Sequence, residues 1–197
     1  MANPQYLVAI DVMDTLIHDP WREALEAATG LPHHEIGRRQ DVRLWEGLEM
    51  SMIDESAYWQ GLLEHGVKAD PRKFHLARLQ GYHWLPGAKE LLQDLVAANH
   101  TVVLASNYPV WIEDLKPRLL AVANVPVYAS CYIGARKPSP AYFEHLLTRH
   151  DSDYASMVLV DDSLANTEAL SALGGYGIAH VDSGTTKSRL KELGVLR

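Results

Sequence analysis

A short apolar segment that ends on a carboxylate is the feature that most constrains how this chain folds. Leu7 to Ile10 are apolar, and Asp11 follows them directly. A continuous apolar run that stops at a polar turn is typical of a strand covered on both faces. In sheets of that kind, ligands bind beyond the carboxyl ends of the strands. Asp11 is therefore a candidate nucleophile, although an aspartate in this position is also an ordinary turn residue.

The same arrangement, in which polar groups follow apolar or turn-forming residues, occurs three more times. Ser106 and Asn107 follow residues 102–105, Lys137 follows residues 134–136, and Asp161 and Asp162 follow residues 157–160. The surrounding pattern predicts strands near 101–105, 125–129, 157–160 and 177–181, and helices near 88–98, 112–120, 140–150 and 164–173. Alternation of this kind predicts an α/β fold in which a doubly wound parallel sheet has helices on both faces.

Residues 20–85 have a different pattern, in which apolar side chains recur at helical spacing. Breaks fall at 30–32, 51–54 and 66–71. We therefore expect about four short helices that pack on one another.

Charge and cysteine content limit the classes of partner and compartment. The formal net charge of −7 argues mildly against nucleic acid as a partner. Cys131 is the sole cysteine, which fits a reducing compartment, and no apolar stretch is long enough to span a bilayer. We expect a cytoplasmic monomer or homodimer whose partner is a small molecule rather than a nucleic acid or a membrane.

Four motifs follow one another along the chain: Asp11, Ser106-Asn107, Arg136-Lys137-Pro138 and Val160-Asp161-Asp162-Ser163. In combination they resemble the four motifs of the haloacid dehalogenase-like (HAD) hydrolase superfamily, and the resemblance covers nearly the whole chain. It implies a Rossmann-like core domain made of residues 1–17 and 86–197. It also implies a helical cap domain, residues 18–85, that closes over the site.

The resemblance further implies a phosphoric monoester hydrolase in which Asp11 attacks phosphorus and forms an aspartyl-phosphate. Mg²⁺ would offset the charge between nucleophile and phosphate, and it prefers hard oxygen ligands. The resemblance assigns it the Asp11 carboxylate, the Met13 backbone carbonyl and Asp162, with Asp161 and Asn166 beside it. The two adjacent aspartates can also cap the helix that follows them, and both roles can hold at once.

Four further residues receive roles from the same resemblance. Lys137 would bridge Asp11 and the phosphate, and Ser106 would donate a hydrogen bond to a phosphoryl oxygen. Asn107 would contact phosphate or substrate, and the Thr15 hydroxyl would fix the loop. Lys137 could also be a solvated side chain, and Ser106 and Asn107 could be ordinary turn residues.

Met13 departs from the HAD phosphatase pattern, which has a second aspartate two residues after the nucleophile. That aspartate protonates the leaving group and activates water, and a thioether cannot transfer protons. General acid–base catalysis contributes about 10²–10⁴-fold to a rate. Met13 therefore predicts a narrow substrate with a good leaving group, a replacement acid from the cap, or a weak enzyme. Asp14 and His18 are the nearest substitutes along the chain.

Two alternatives and one candidate substrate remain open at this point. Haloacid dehalogenases of the same fold also lack an acid at position 13, but they have neutral residues where Asp161 and Asp162 stand. A catalytically impaired HAD protein that acts by binding is the second alternative. The Asp-Val-Met-Asp-Thr string resembles a plant and cyanobacterial group that includes a flavin mononucleotide (FMN) phosphatase, with Trp45, Trp59 and Trp84 as candidate flavin contacts. The pair His33-His34 and the cationic stretch 38–43 could bind a second anionic group of a substrate, or they could form a solvated helix face.

Overall fold

A parallel five-stranded sheet forms the centre of the protein, in a computed structural model that describes residues 5–197. Its strands are β1 (Leu7–Ile10), β2 (Thr101–Ser106), β3 (Val127–Ala129), β4 (Met157–Asp161) and β5 (Tyr176–Ala179). They lie in the order β3-β2-β1-β4-β5, so that the chain's first strand is the central one. The predicted α/β fold with a doubly wound parallel sheet is confirmed.

Five short helices form one insertion between β1 and β2. They are α1 (Trp21–Thr29), α2 (His33–Arg39), α3 (Val42–Glu49), α4 (Glu55–Glu64) and α5 (Pro71–Gly81). About four were predicted. The extra break lies at Asp41, because its side chain accepts a hydrogen bond from the Arg43 N–H and so begins a new helix. At the base of the insertion, Ile17 pairs antiparallel with Trp84.

Six further helices flank the sheet: α6 (Ala88–Ala97), α7 (Lys116–Leu120), α8 (Ser130–Ile133), α9 (Pro140–Arg149), α10 (Leu164–Ala172) and α11 (Ser183–Glu192). Short 3₁₀ turns cover Val110–Asp114 and Tyr154–Ser156. The single helix predicted over 112–120 is thus split into a 3₁₀ turn and α7. Pro117 explains the split, because proline is tolerated in the first turn of a helix and breaks a helix interior. No helix in residues 5–197 is both long and apolar enough to cross a membrane.

Both faces of the sheet are covered, which is why its strands lack alternating polarity. On β1, Val8 and Ile10 pack in a cluster that includes helix α6, whereas Leu7 and Ala9 pack in one that includes α9. Helix α10 lies so close to β5 that a Cβ at Gly177 would overlap the Thr167 backbone. This close approach holds the N-terminus of α10 beside the end of β4.

Candidate active site

The carboxyl ends of β1, β2 and β4 meet at one edge of the sheet, and the motif residues meet there too. The strands are parallel and in register, with Ile10 opposite both Leu104 and Val160. The Asp11 backbone N–H donates to the Val160 carbonyl at 2.8 Å, which continues that register to the nucleophile position. Asp11 and Asp161 therefore leave the sheet as close neighbours.

Lys137 occupies the centre of this edge. Its Nζ donates to Asp11 Oδ1 at 2.7 Å, to Asp161 Oδ2 at 2.5 Å and to the Ala105 carbonyl at 2.7 Å. The three charged side chains are almost fully buried. One ammonium group with three donors is thus satisfied by the ends of three neighbouring strands.

Buried charges dominate the electrostatics of the cluster. Burial raises the pKa of Asp11 well above its usual range, and the adjacent ammonium of Lys137 opposes that rise. Burial acts to lower the pKa of Lys137, but Asp11 and Asp161 outweigh it and raise that pKa. Burial and the charge of Asp161 raise the pKa of Asp162 to about 6. One lysine therefore faces three carboxyl groups, and a second cation would relieve the excess negative charge.

The donor set fits a divalent cation that prefers oxygen. Asp11, Asp161 and Asp162 each offer an oxygen, and these oxygens lie within 4.8 Å of one another. Asp161 is already occupied, because Oδ2 binds Lys137 and Oδ1 accepts from the Ser163 N–H and the Asn166 amide, both at 2.9 Å. Asp11 Oδ2 and the Asp162 carboxylate remain available. Within the described residues, no N–H or O–H donates to the Met13 carbonyl oxygen.

Ser106, Asn107 and Thr15 surround this cluster in three different ways. The Ser106 hydroxyl is buried and, in the described part of the chain, has no hydrogen-bond partner. Asn107 donates to the Lys137 carbonyl at 2.7 Å and accepts from the Lys137 N–H at 2.8 Å, which fixes the lysine backbone. The Thr15 hydroxyl accepts from the Asp162 N–H at 3.2 Å. Thr15 thereby ties the loop after β1 to the loop after β4.

A cleft of about 300 Å³ lies between the helical insertion and this edge of the sheet. Its lining residues are Asp14, His18, Asp19, Trp21, Arg22, Glu23, His33, Trp45, Glu49 and Asn107. Of the three tryptophans considered as flavin contacts, Trp45 lines the cleft, whereas Trp59 packs against Phe74 and Trp84 lies at the base of the insertion. The stretch 38–43 is not part of the lining. Within it, Arg39 pairs with Glu35 and Arg43 pairs with Asp41.

Comparison with known proteins decides the family. The model of the haloacid dehalogenase-like hydrolase family matches residues 7–174, which is most of the chain. The chain belongs to the HAD-like hydrolase family. The resemblance inferred from the four motifs is therefore confirmed.

Three similar proteins illustrate the range of this HAD-like chain's relatives. Flavin mononucleotide hydrolase 1 of Arabidopsis thaliana is 25% identical over 96% of this chain and 78% of its own length. A phosphoglycolate phosphatase of Aliivibrio fischeri is 26% identical over 80% of this chain and 69% of its own length. An HAD family enzyme of Bacteroides thetaiotaomicron, solved with magnesium and inorganic phosphate, superimposes with a TM-score of 0.71 at 17% identity, over 89% of this chain and 93% of that one.

The loop after β1 departs from the HAD phosphatase pattern at Met13, whose buried side chain contributes no acid. Asp14 follows with a left-handed φ of 54°, and its Oδ1 accepts from the Asp19 N–H at 2.9 Å. His18 lies between Asp14 and Glu23, with N···O distances of 3.6 and 3.5 Å. Both substitutes considered from the sequence are therefore paired with other residues of this segment.

Sequence reasoning missed two groups that adjoin the HAD motif residues. Arg136, next to the central lysine, forms ion pairs with Glu46 at 2.8 Å and Glu49 at 2.7 Å, both on α3. Asp19 lines the cleft, and no motif in the sequence assigned it a role. No periodic pattern connects Arg136 with α3, because the partners lie far apart along the chain. Their pairing becomes visible only once the insertion is folded onto the sheet.

Proposed function

We propose that this protein is a Mg²⁺-dependent phosphatase of a small phosphorylated metabolite and that Asp11 is its nucleophile. The observation that carries the proposal is the contact of Lys137 with both Asp11 and Asp161, beside a third carboxylate at Asp162. Such a cluster is costly to bury unless a cation compensates its excess negative charge. The phosphatase names of the relatives support the same reaction class.

The side chains present supply most parts of an in-line displacement. Lys137 favours the ionised form of Asp11 and holds it through Oδ1, while Oδ2 accepts no hydrogen bond from the described residues. Attack of an Asp11 oxygen on phosphorus forms an aspartyl-phosphate and releases the leaving group, and water then hydrolyses that acyl phosphate. The Ser106 hydroxyl, which has no partner among residues 5–197, would donate to a phosphoryl oxygen, and Lys137 would stabilise the transferred group's negative charge.

Asp11, Asp162 and the Met13 carbonyl would hold Mg²⁺, which, when bound, neutralises charge between the carboxylate and the phosphate. Asp161 would lie beside the metal without binding it directly, because its oxygens already accept hydrogen bonds from Lys137, Ser163 and Asn166. Asn107 would hold the Lys137 backbone in place, and Thr15 would hold the loop after β1 against the loop after β4. Neither would contact the metal. The helical insertion α1–α5 would act as the cap, since it forms one wall of the cleft.

The cleft favours substrates whose organic part is aromatic and carries no further negative charge. Trp21 and Trp45 line it, with ring centroids 4.8 Å apart. Its acidic residues outnumber its one arginine, Arg22, so a second anionic group would be repelled. FMN is the preferred candidate on these grounds, because its flavin ring is aromatic and uncharged. Phosphoglycolate, with a carboxylate close to its phosphate, is disfavoured.

Phosphate release tests this proposal. Acetyl phosphate, para-nitrophenyl phosphate, FMN and phosphoglycolate are each incubated with the protein in Mg²⁺ and in EDTA. We expect Mg²⁺-dependent release that Asp11→Asn abolishes, with FMN turned over faster than phosphoglycolate. Asp94→Asn is the matched control, because Asp94 is a half-exposed carboxylate that pairs with Lys187 away from the cleft.

Two outcomes would replace the proposal. Chloride release from a 2-chloro acid, without phosphate release from any of the four compounds, would assign a dehalogenase. Binding of FMN without turnover of any compound would assign a binding protein.

A further inference from the structure

We propose that Asp19, between the loop after β1 and helix α1, gives the substrate's leaving oxygen the proton that Met13 cannot supply. The inference deepens the proposed phosphatase function and rests on it. Asp19 lies eight residues after the nucleophile rather than two, and it reaches the cleft because the chain turns back at Asp14.

Asp19 lies in the wall of the cleft that would receive the organic part of a substrate. It lines the cleft together with Asn107, and Asn107 is hydrogen-bonded to the backbone of Lys137. Lys137 in turn contacts the nucleophile Asp11. Asn107 therefore connects the cleft wall to the edge of the sheet where Asp11 lies, and Asp19 belongs to the same wall.

A chain of hydrogen bonds fixes the orientation of the Asp19 carboxyl. Arg78 can only donate, and it donates to the Tyr82 hydroxyl at 2.7 Å. Because the Tyr82 hydroxyl accepts from Arg78, its own hydrogen is free to be donated to the Tyr108 hydroxyl, which lies 2.7 Å away. The Tyr108 hydroxyl in turn donates to Asp19 Oδ1 at 3.5 Å. The Trp21 N–H also donates to Oδ1, at 3.1 Å. Both interactions use Oδ1, and Oδ2 has no donor in residues 5–197.

The environment also keeps a proton on this carboxyl near neutral pH. Burial raises the pKa of Asp19 to about 7, the Trp21 hydrogen bond opposes this, and the charges of Asp14 and Glu23 add to the rise. A group that is partly protonated at the working pH can both donate and accept a proton during one turnover.

Other acids of the cleft are less suited to the task. Asp14 Oδ1 accepts from the Asp19 N–H, and both nitrogens of His18 lie close to carboxylates. Glu49 lies 2.7 Å from the Arg136 guanidinium, and Glu23 is mostly exposed. Asp19 combines a place in the cleft wall with an oxygen that the described residues leave free.

The proposed steps balance. As Asp11 attacks phosphorus, the bond to the leaving oxygen breaks, and that oxygen takes its bonding electron pair and the proton from Asp19 Oδ2. The resulting Asp19 carboxylate removes a proton from water as the water oxygen attacks the aspartyl-phosphate. The bond between phosphorus and the Asp11 oxygen then breaks, which restores the Asp11 carboxylate and the protonated Asp19 and gives inorganic phosphate.

Asp19→Asn tests this assignment, because asparagine keeps an oxygen that accepts from Trp21 and Tyr108 but cannot transfer a proton. We expect kcat for the alkyl phosphate that the wild type hydrolyses fastest to fall by about 10²–10⁴-fold. Para-nitrophenol needs little help to leave, so its release in the first turnover should persist. Water activation then becomes limiting, and we expect a burst of para-nitrophenolate and accumulation of aspartyl-phosphate. A loss of packing would not produce a burst.

The matched control is Asp41→Asn, because Asp41 likewise accepts a hydrogen bond from the N–H two residues on and lies outside the cleft lining. Its kinetics should match the wild type. Met13→Asp in the wild-type background should change the alkyl phosphate rate by less than about three-fold, and in the Asp19→Asn background it should restore part of the loss.

Wild-type kcat on the alkyl phosphate in a folded Asp19→Asn variant would overturn the assignment. A gain of about 100-fold from Met13→Asp alone would also overturn it, and this second result decides the question if Asp19→Asn does not fold. Failure of the proposed function itself is distinct, because Asp11→Asn would then leave phosphate release unchanged.

Discussion

Replacement of Lys137 by methionine should destabilise the protein far more than replacement of an ordinary lysine. The ammonium makes three hydrogen bonds of 2.5–2.7 Å, two of them to the buried carboxylates of Asp11 and Asp161. Methionine has a similar shape, so that the change removes charge more than volume. Two carboxyl groups are then left buried without a cation. Removal of one partner from a buried ion pair costs about 3–5 kcal/mol, and we expect that loss for Lys137→Met at pH 7.

The pH dependence of this loss has a defined sign. Without the lysine, the buried carboxyls hold their protons in the folded state at pH values where the unfolded chain has released them. Each such group therefore makes the free energy of unfolding fall as pH rises, by about 1.4 kcal/mol per pH unit between its unfolded and folded pKa values. We expect the deficit of Lys137→Met to be smaller at pH 5 than at pH 7, by up to about 2.7 kcal/mol for a carboxyl that is ionised in the folded wild type and protonated in the folded variant.

Urea unfolding at pH 5 and pH 7 in EDTA measures both effects. Lys187→Met is the control, because the pair that Lys187 forms with Asp94 has the same 2.7 Å length but is partly exposed. Such pairs contribute about 0–1 kcal/mol. Equal losses for the two variants at pH 7, or a deficit for Lys137→Met that does not change with pH, would refute the reasoning.

Three further changes should have measurable consequences. Asp11→Asn removes a carboxylate whose ionisation is unfavourable when buried. The urea midpoint of this variant in EDTA should therefore equal or exceed that of the wild type. Addition of Mg²⁺ should raise the midpoint of the wild type but not that of the variant. Burial raises the pKa of Glu49 to about 7 against the partly compensating charge of Arg136. Glu49 therefore stabilises the fold at pH 4.5 and below, and that contribution is lost as pH rises towards 7. The stability of the wild type relative to Glu49→Gln should fall over this interval by at most about 3 kcal/mol, and a constant difference between their unfolding curves would contradict this. Arg78→Met should lower the free energy of unfolding by about 1–3 kcal/mol, because Arg78 is buried whereas its partner Asp114 can be rehydrated. An unchanged free energy of unfolding in urea would show that the hydrogen bonds from Arg78 through Tyr82 to Tyr108 contribute little to stability.

The sequence predicts the sheet well because burial on both faces leaves a local signature. Residues 7–10 and 157–160 are continuous apolar runs, and each ends on the carboxylate that the structure places at the sheet edge. Parallel strands bring their carboxyl ends together, which is why Asp11, Ser106 and Asp161 lie at the same edge of the sheet. The split of α2 from α3 was missed, because its cause is a single side-chain hydrogen bond at Asp41.

The candidate proton donor could not be predicted, because its properties arise from contacts between distant segments. Asp19 owes its orientation to Tyr108, which reaches it from the loop after β2, and indirectly to Arg78 on α5. Likewise, nothing local distinguishes Glu49 from the exposed acids of the insertion. Its burial depends on Arg136, which is far away along the chain. Pairings of this kind have no sequence period, whereas strands and helices do.

The central position of β1 has a consequence for how the chain folds. Leu7 pairs on one side with Thr101 and on the other with Met157, so one neighbour of the first strand lies near the middle of the chain and the other near its end. Contacts so distant in sequence carry a large loop-closure cost, which slows folding. During synthesis, β1 must wait for β2 and then for β4, while α1–α5 are complete well before either. The helices can thus fold before the strand that presents Asp11 is enclosed.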